Sequence, residues 1–460
     1  MAFFRKTYRL DIKLKSPLAI GSGENVNTDS DVIVDNTGKP FIPASSLAGV
    51  LRNYVAQNSG IPTANAVFGF IPRTKDEAKK AKAKDRNYIE RDCLVRVYDG
   101  LYAGGNDDFF ITNRDMVALR DKVGIDGAKF DMQAVETGAS FTAYIEVLQQ
   151  GFEEDSDKPD LAFIIDIVKE IEAAISALAA DRIRLGSKTS RGYGSVSVAC
   201  KSMEFTEPQE WIDFDMMDAN VWETASPVVL SQDHPFQLTL GLELQGGISI
   251  REYTTEPSTE KKTMPDYMQL SLHLLKEAGA PTPVIPGTSW AGAIRDRFLA
   301  FSGKKTMESL FGYVHQKLVD GDDDVMKSVI SFSESILTGG IWKTTTRNAI
   351  DRFSGGTKDG ALYTERTYYG GKTELVISFT KAPDEKQKKL LSACLADLHN
   401  GFLAVGGLTS VGRGLFRITS VNGSELPAED QNEDRIFEVL NNALQSAAET
   451  NPAKEDEADA

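Results

Sequence analysis

Histidine and cysteine are scarce in this 460-residue chain, which narrows the chemistry it can carry on its own side chains. The four histidines, His234, His273, His315 and His399, stand apart from every recurring motif, so histidine-based acid/base or nucleophilic catalysis finds no support. The three cysteines, Cys93, Cys200 and Cys394, are far apart and show neither CxxC nor Cys/His spacing. That pattern argues against a disulfide framework or a zinc site and leaves buried free thiols as the expectation. Long apolar runs are missing as well: none reaches membrane-spanning length, and the opening MAFFRKTYRLDIKLK alternates where a signal peptide carries a continuous apolar block. An intracellular, cytoplasmic protein without a membrane partner is expected. Nucleotide-binding fingerprints are absent too, since Gly-Ser-Lys-Thr at Gly186 lacks the upstream glycine spacing of a P-loop and no GxGxxG opens a helix.

Basic charge is also in deficit, at a net −16, which at first sight argues against a polyanionic partner. Its distribution changes that reading. From Leu426 to Ala460 there are ten acidic and two basic residues, so the tail alone holds half of the excess. The remainder is spread thinly and includes solvated runs such as Glu153–Asp160, and a local basic groove is compatible with it. Hydrophobic content of 41% and charged content of 26% describe a globular chain long enough for two or three cored domains.

What the sequence does contain is a repeat. Pro40 to Arg52 reads PFIPASSLAGVLR, and Pro283 to Arg295 reads PVIPGTSWAGAIR, 243 positions later, with seven of thirteen residues identical. Each copy is a short apolar approach, a proline turn and an amphipathic helix. Leu47, Val50, Leu51, Tyr54 and Val55 form one helical stripe, and Trp290, Ala293, Ile294 and Phe298 form the other. Ser45 or Ser46, and Thr288 or Ser289, are the expected N-caps, and the helix amides with Arg52 and Arg295 suit a phosphate.

The same order of elements surrounds both copies. Tyr8–Lys15 and the segment from Phe236 to Leu244 alternate as half-buried strands, with Leu10, Ile12 and Leu14, then Leu238, Leu240, Leu242 and Leu244, on the inner faces. Phe68-Gly69 and Phe311-Gly312 close the helical sections. Extended arms follow at Asn113–Phe130 and Thr346–Tyr363, then helices at Ile164–Ala180 and Glu385–Leu398. Each half ends in a glycine loop, LGSKTSRGYGSV (Leu185–Val196) or VGGLTSVGRGLF (Val405–Phe416), and a strand. The lysine-rich stretch between Ile71 and Tyr88 has no apolar stripe and reads as a surface insertion. This order predicts an α+β chain of two ferredoxin-like domains with antiparallel sheets, at 1–225 and 226–425. Residues 426–460 are expected to add a short helix, near Asp434–Ala448, and a disordered acidic tail.

Two kinds of residue carry candidate chemistry. The glycine loops bring backbone amides close to a polyanion, with Lys188, Arg191 and Arg413 beside them. The loop GSGENVNTDSDVIVD holds Glu24, Asp29, Asp31 and Asp35, any of which suits a divalent metal or a general base next to an RNA sugar. Asp266 lies in a comparable place in the second half.

Taken together, GSG with DSDVIVD, KPFIPASSLAGVLR and SRGYGSV, echoed by PVIPGTSWAGAIR and TSVGRGLF, resemble the repeat-associated mysterious protein (RAMP) superfamily of CRISPR-associated proteins. The chain is similar to tandem fused backbone subunits of type III effector complexes of the III-D group. The resemblance implies RRM-like folds aligned along a CRISPR guide RNA, in an antiviral ribonucleoprotein complex with target RNA and other effector subunits as partners. It implies guide contacts at Ser45, Ser46, Arg52, Lys188, Ser190, Arg191, Thr288, Ser289, Arg295 and Arg413. It makes the two arms base-displacing thumbs, with Arg114 and Arg347 at their roots. It also implies a metal-dependent endoribonuclease using Mg2+ or Mn2+ at Asp29, with Asp31 the neighbouring alternative and Asp266 the counterpart in the second half. A non-catalytic guide-binding scaffold is the competing reading, and a metal-independent guide-processing nuclease is a third.

Overall fold

Strict alternation in the first strand dictates a sheet with one covered face. In the computed structural model, Arg5–Leu14 buries Tyr8, Leu10, Ile12 and Leu14. The structure describes residues 4–23, 28–69, 93–105, 109–120, 123–148, 161–231, 236–252, 265–272, 281–315, 324–427, 429–430, 432 and 435–449. Glu24, the lysine-rich insertion, the acidic run at 153–160, His234, His273 and the NPAKEDEADA tail lie outside the described residues.

The chain divides into two units that do not follow the sequence repeat cleanly. The first comprises Met1–Thr112, Gln133–Ser187 and Gly194–His234, and the second Asn113–Met132, Lys188–Tyr193 and Pro235–Ala460. Within the first unit, Arg5–Leu14 lies between Ser140–Leu148 and Val196–Phe205, with Leu10 opposite both Ala143 and Cys200. Val95–Val97 extends the sheet beyond Ser140–Leu148. Within the second, Gln237–Leu244 lies between Lys372–Phe379 and Phe416–Val421, with Leu240 opposite Leu375 and Val421, and Ile330–Phe332 takes the outer place. Every pairing in these two main sheets is antiparallel.

Helices cover one face of each sheet. Ala44–Asn58 buries Leu47, Leu51 and Val55, and Leu161–Ala179 adds Ile171, Ala174, Ile175 and Leu178 to the same core. Gly287–Ser302 buries Trp290, Ile294 and Phe298, and Glu385–His399, opened by an Asp384–Gln387 capping box, adds Leu391, Cys394, Leu395 and Leu398. The repeat extends to the second short helix of each pair, since Ile61–Phe68 and Lys304–Phe311 fall 243 residues apart like the helices before them. Both arms are two-stranded ribbons, Ile111–Arg120 with Val123–Val135 and Ile341–Ile350 with Thr357–Tyr369. No described helix is long and apolar enough to cross a membrane.

Cys200 and Cys394 are buried free thiols, and burial pushes both up to about 12. Cys93 departs from expectation by being only half-buried. The C-terminal helix, Ile436–Glu449, is more than the appendage its acidic surroundings suggest. Ile436, Leu440 and Leu444 are fully buried in the second core against Glu385–His399.

That packing has a measurable consequence. Leu440→Ala removes a buried side chain from a filled site and should cost about 2–5 kcal/mol in denaturant unfolding of the second unit. A loss below about 0.5 kcal/mol, the range of ordinary surface substitutions, would show that the helix does not belong to the core.

Candidate functional site

Each glycine loop passes so close to other backbone that side chains cannot be accommodated. A Cβ on Gly194 or Gly414 would run into the carbonyl of Leu185 or Val405. The Gly194 amide donates to Pro17 O (2.8 Å) and the Gly414 amide to Gly247 O (2.9 Å). Between these anchors the chain makes one 3-10 turn, Thr189–Arg191 or Thr409–Val411. The residue ahead of each turn, Lys188 (φ 58°) or Leu408 (φ 57°), is left-handed despite its side chain.

Segment 188–193 belongs to the second unit, where it meets the start of the helix Gly287–Ser302. A Cβ on Gly287 would lie 2.8 Å from the Arg191 carbonyl oxygen, and one on Gly192 would collide with the Phe332 carbonyl. The turn Thr189–Arg191 therefore stands at the start of the helix that carries Thr288 and Ser289. Arg191 is exposed, while Lys188 is half-buried with its Nζ 5.0 Å from the Phe130 ring. Burial, and then the Arg191 charge, push the Lys188 ammonium below its ordinary value. Two cations beside a helix N-terminus make an electropositive spot suited to a phosphate.

Other expected contacts are corrected. Neither serine pair caps a helix. The caps are Pro43 and Pro286, each without a side-chain cap bond, because both helices begin at the residue following the proline. Asp99 Oδ1 accepts from the Ala44 amide at 2.6 Å, so the protein's own carboxylate occupies the first helix start, where the sequence suggested a phosphate. Arg52 is spent on the end of the following helix, donating to Gly69 O (2.8 Å) and Asn65 Oδ1 (2.5 Å). Arg295 is exposed, with Nε 3.2 Å from Met307 Sδ. Arg114 is buried and paired with Glu334 at 3.3 Å, which removes it from a phosphate-facing surface.

Arg413 is also buried, because the position equivalent to the exposed Arg191 is Val411, and Arg413 itself matches the buried Tyr193. Its Nη2 donates to the buried carboxylate of Glu365, which Arg347 approaches at 3.6 Å. Arg347 remains 38% exposed at the root of the second ribbon.

The aspartate loop is better defined than its sequence allows. Asp31 is buried, and its Oδ1 accepts from the Thr28 amide (2.9 Å) and hydroxyl (2.8 Å). Ser30 O accepts from the Gln133 amide (2.9 Å), and the Val32 amide donates to Gln133 Oε1 (3.1 Å), so the turn is pinned to the ribbon's root. Asp29 is the exposed residue at the centre of this pinned turn. Asp35 is a turn-former: hydrogen bonds from Thr37 and Lys39 hold its carboxyl below the usual range.

Backbone register gives Asp266 the same place. The Ile33 amide donates to Ile20 O (2.9 Å) and the Leu270 amide to Ile250 O (2.7 Å), and each aspartate stands four residues ahead of that donor. Asp266 Oδ2 accepts from the Thr364 amide at 2.7 Å. Among the described residues no three or more His, Cys, Asp or Glu side chains are grouped to hold a metal ion. One exposed carboxylate suits a cation that keeps its waters and shares phosphate ligands, and does not suit a resident protein-bound metal.

The RAMP superfamily model matches residues 11–197 and 275–417, the majority of the chain. The chain belongs to the RAMP superfamily. The matched segments contain Asp29 and both glycine loops, whereas Asp266 falls between them. Among solved structures, a chain described as "Cryo-EM structure of the Type III-B Cmr-beta bound to cognate target RNA" is similar at 17% identity and TM-score 0.32. That likeness covers 44% of this chain and 61% of the other, and it is too slight to carry an argument. No curated protein matches the chain.

Sequence reasoning missed Asp99 and Gln133, which carry no motif and act only through the fold. It also missed that this superfamily member differs internally at Arg413. The positions matching Glu365 and Arg413 in the first repeat are Met132 and Tyr193, both buried. The second repeat therefore buries an ion pair where the first buries two uncharged side chains. Arg413→Tyr alone should cost about 3–5 kcal/mol, because it leaves Glu365 buried with only Arg347 in reach, while adding Glu365→Met should restore most of that loss. Thermal or denaturant unfolding measures both. A double variant as unstable as the single one would refute the interpretation.

Proposed function

We propose that this RAMP protein is a backbone subunit of a type III CRISPR effector in the cytoplasm, binding guide RNA and cutting complementary target RNA with help from Mg2+ or Mn2+. In this reading, the tandem repeats at 1–225 and 226–425 align along the guide beside other effector subunits. The observation that carries the cleavage half is the exposed Asp29 on a turn whose neighbours are all pinned. A general base needs a held position and access to the substrate, and this turn supplies both. The reaction is an in-line attack of a ribose 2′-oxygen on the adjacent phosphate, which forms a 2′,3′-cyclic phosphate as the P–O5′ bond breaks and the leaving 5′-oxygen takes a proton from water, with Asp29 taking the hydroxyl proton or orienting it. A divalent cation, when bound, would neutralise charge on the phosphate, held by Asp29 together with RNA oxygens and water.

The meeting of the turn that carries Lys188, Ser190 and Arg191 with the helix start at Thr288 and Ser289 supports the guide-binding half, with the exposed Arg295 and the half-buried Arg347 as further cations. Asp266 is proposed as the corresponding carboxylate for a second cut. One observation favours the scaffold alternative for that repeat: a backbone amide already engages Asp266.

Two measurements test this reading. Asp29→Asn keeps shape and should reduce one target cut by about 100-fold or more while guide binding stays at the parent level. Asp266→Asn should remove a separate cut. Cleavage at the parent rate in the double variant would leave a scaffold. Separately, Lys188→Gln with Arg191→Gln should weaken guide binding regardless of sequence and flatten its dependence on salt, as filter binding across a salt series would show. Parent-like affinity with an unchanged slope would remove these residues from the interface.

A further inference from the structure

The ribbon Ile341–Ile350/Thr357–Tyr369 belongs to a sheet whose side chains the functional reading has not used. Tyr267–Gln269 pairs in parallel with the ribbon at Glu365 and Arg366, and Arg251–Glu252 pairs antiparallel with Met268 and Gln269. Residues directly opposite one another share a face. Lys343 lies opposite Thr367, Arg347 opposite Tyr363, Tyr267 opposite Glu365 and Arg251 opposite Gln269. One face of this sheet therefore holds Arg251, Tyr267, Tyr363, Arg347 and Lys343 around Gln269, Glu365 and Thr367, which are buried.

The geometry is that of a platform. The Arg251 guanidinium carbon is 4.0 Å from the Tyr267 ring centroid, close enough that the planar group must lie over the ring face. Tyr267 and Tyr363 meet edge to face with centroids 6.3 Å apart. Arg251, Tyr267 and Tyr363 are half-buried, and Lys343 is exposed. In a chain with a net charge of −16, this small face carries an excess of cations. The first repeat reproduces part of it. Val135 bridges Leu18 and Tyr368 pairs with Ile248, and five residues before each stands an aromatic, Phe130 or Tyr363. Phe130 also has a cation beside it, Lys188.

The geometry points to a stacking site for one unpaired RNA base, with the base on the Arg251–Tyr267–Tyr363 surface and its phosphate on Arg347. Stacked aromatic and guanidinium planes with adjacent cations are the means by which single-stranded RNA is held without sequence preference. The site stands next to Asp266, so a base stacked here fixes the strand that passes that carboxylate. Arg251 and Tyr267 fall outside the segments matched by the superfamily model. The assignment rests on the RNA-binding reading above and goes beyond it in naming the nucleotide's seat.

The test uses the full chain and a single-stranded RNA carrying 2-aminopurine, read by fluorescence quenching and by affinity. Tyr267→Leu and Tyr363→Leu retain bulk without an aromatic face. Each should weaken binding about five- to 150-fold and reduce the quenching, with the salt slope unchanged. Tyr267→Phe should bind and quench like the parent, and Arg251→Lys should lose quenching while keeping its charge. Circular dichroism and unfolding midpoints like the parent's certify the folded state. Should Tyr267→Leu unfold, the Phe and Lys variants decide alone. Parent-like affinity and quenching in the folded leucine variants would overturn the platform while leaving the guide-binding reading intact, provided the parent binds RNA and the Lys188/Arg191 variant does not. A parent chain that binds no RNA would overturn both. Leucine variants that bind RNA normally but lose association with another protein subunit would make the face a protein contact and also overturn the proposal.

Discussion

Much of the site's geometry follows from one close backbone approach, made twice. The glycine loop of each repeat runs against the chain just past the first strand, through Gly194 to Pro17 and Gly414 to Gly247. The next bonds, Ser187 to Ala19 and Gly407 to Ser249, tie the loop to the segment that leads into the aspartate turn. Glycine is needed within the loop, since a Cβ at Gly194 or Gly414 would run into the loop's own Leu185 or Val405 carbonyl, and one at Gly186 would lie 2.5 Å from Ala19 O. Within the first unit the contact fixes the entry to the loop that carries Asp29, and within the second it fixes the entry to the segment that carries Asp266. It also explains why the motif reads as Thr-Ser-x-Gly-x-Gly rather than as a charged signature.

The fold was legible because its determinants are periodic. Leu10, Ile12 and Leu14, and Leu238 to Leu244, alternate because one sheet face is covered. Leu47, Leu51 and Val55, with Trp290, Ile294 and Phe298, recur at helical spacing because one stripe is buried. The site was less legible, because position along the chain does not reveal what a side chain already holds. Arg52 looked like a phosphate ligand, but it closes the neighbouring helix at Gly69. The motif's spacing placed the candidate at Asp29 with Asp31 as the alternative, and only the fold shows that Asp31 is buried and accepts from Thr28. Arg413 followed the motif's glycines as a cation should, yet its side chain enters the core at the place of Tyr193.

Repetition makes the differences between the halves informative. Where the first repeat buries Met132 and Tyr193, the second buries Glu365 and Arg413, and the ion pair is reached by Arg347 from the ribbon. Buried pairs of this kind add little net stability over an apolar contact but penalise misregistered alternatives heavily. In the second repeat the pair locks the root of the ribbon to the glycine loop. A ribbon whose root is fixed presents Tyr363 and Arg347 at a defined height above the sheet, which a stacking surface requires.

The two aspartates extend the same logic. Both stand four residues ahead of the amide that closes the equivalent bond, the first on a turn held by Thr28, Ser30 and Gln133. The second is drawn onto the Thr364 amide, beside an aromatic and cationic face. Under the proposed function a held position is what each carboxylate contributes, since a general base must keep its approach to the ribose hydroxyl. Under the proposed function, the shared position gives each repeat a carboxylate at the same step of its sheet, and the aromatic and cationic face distinguishes the second.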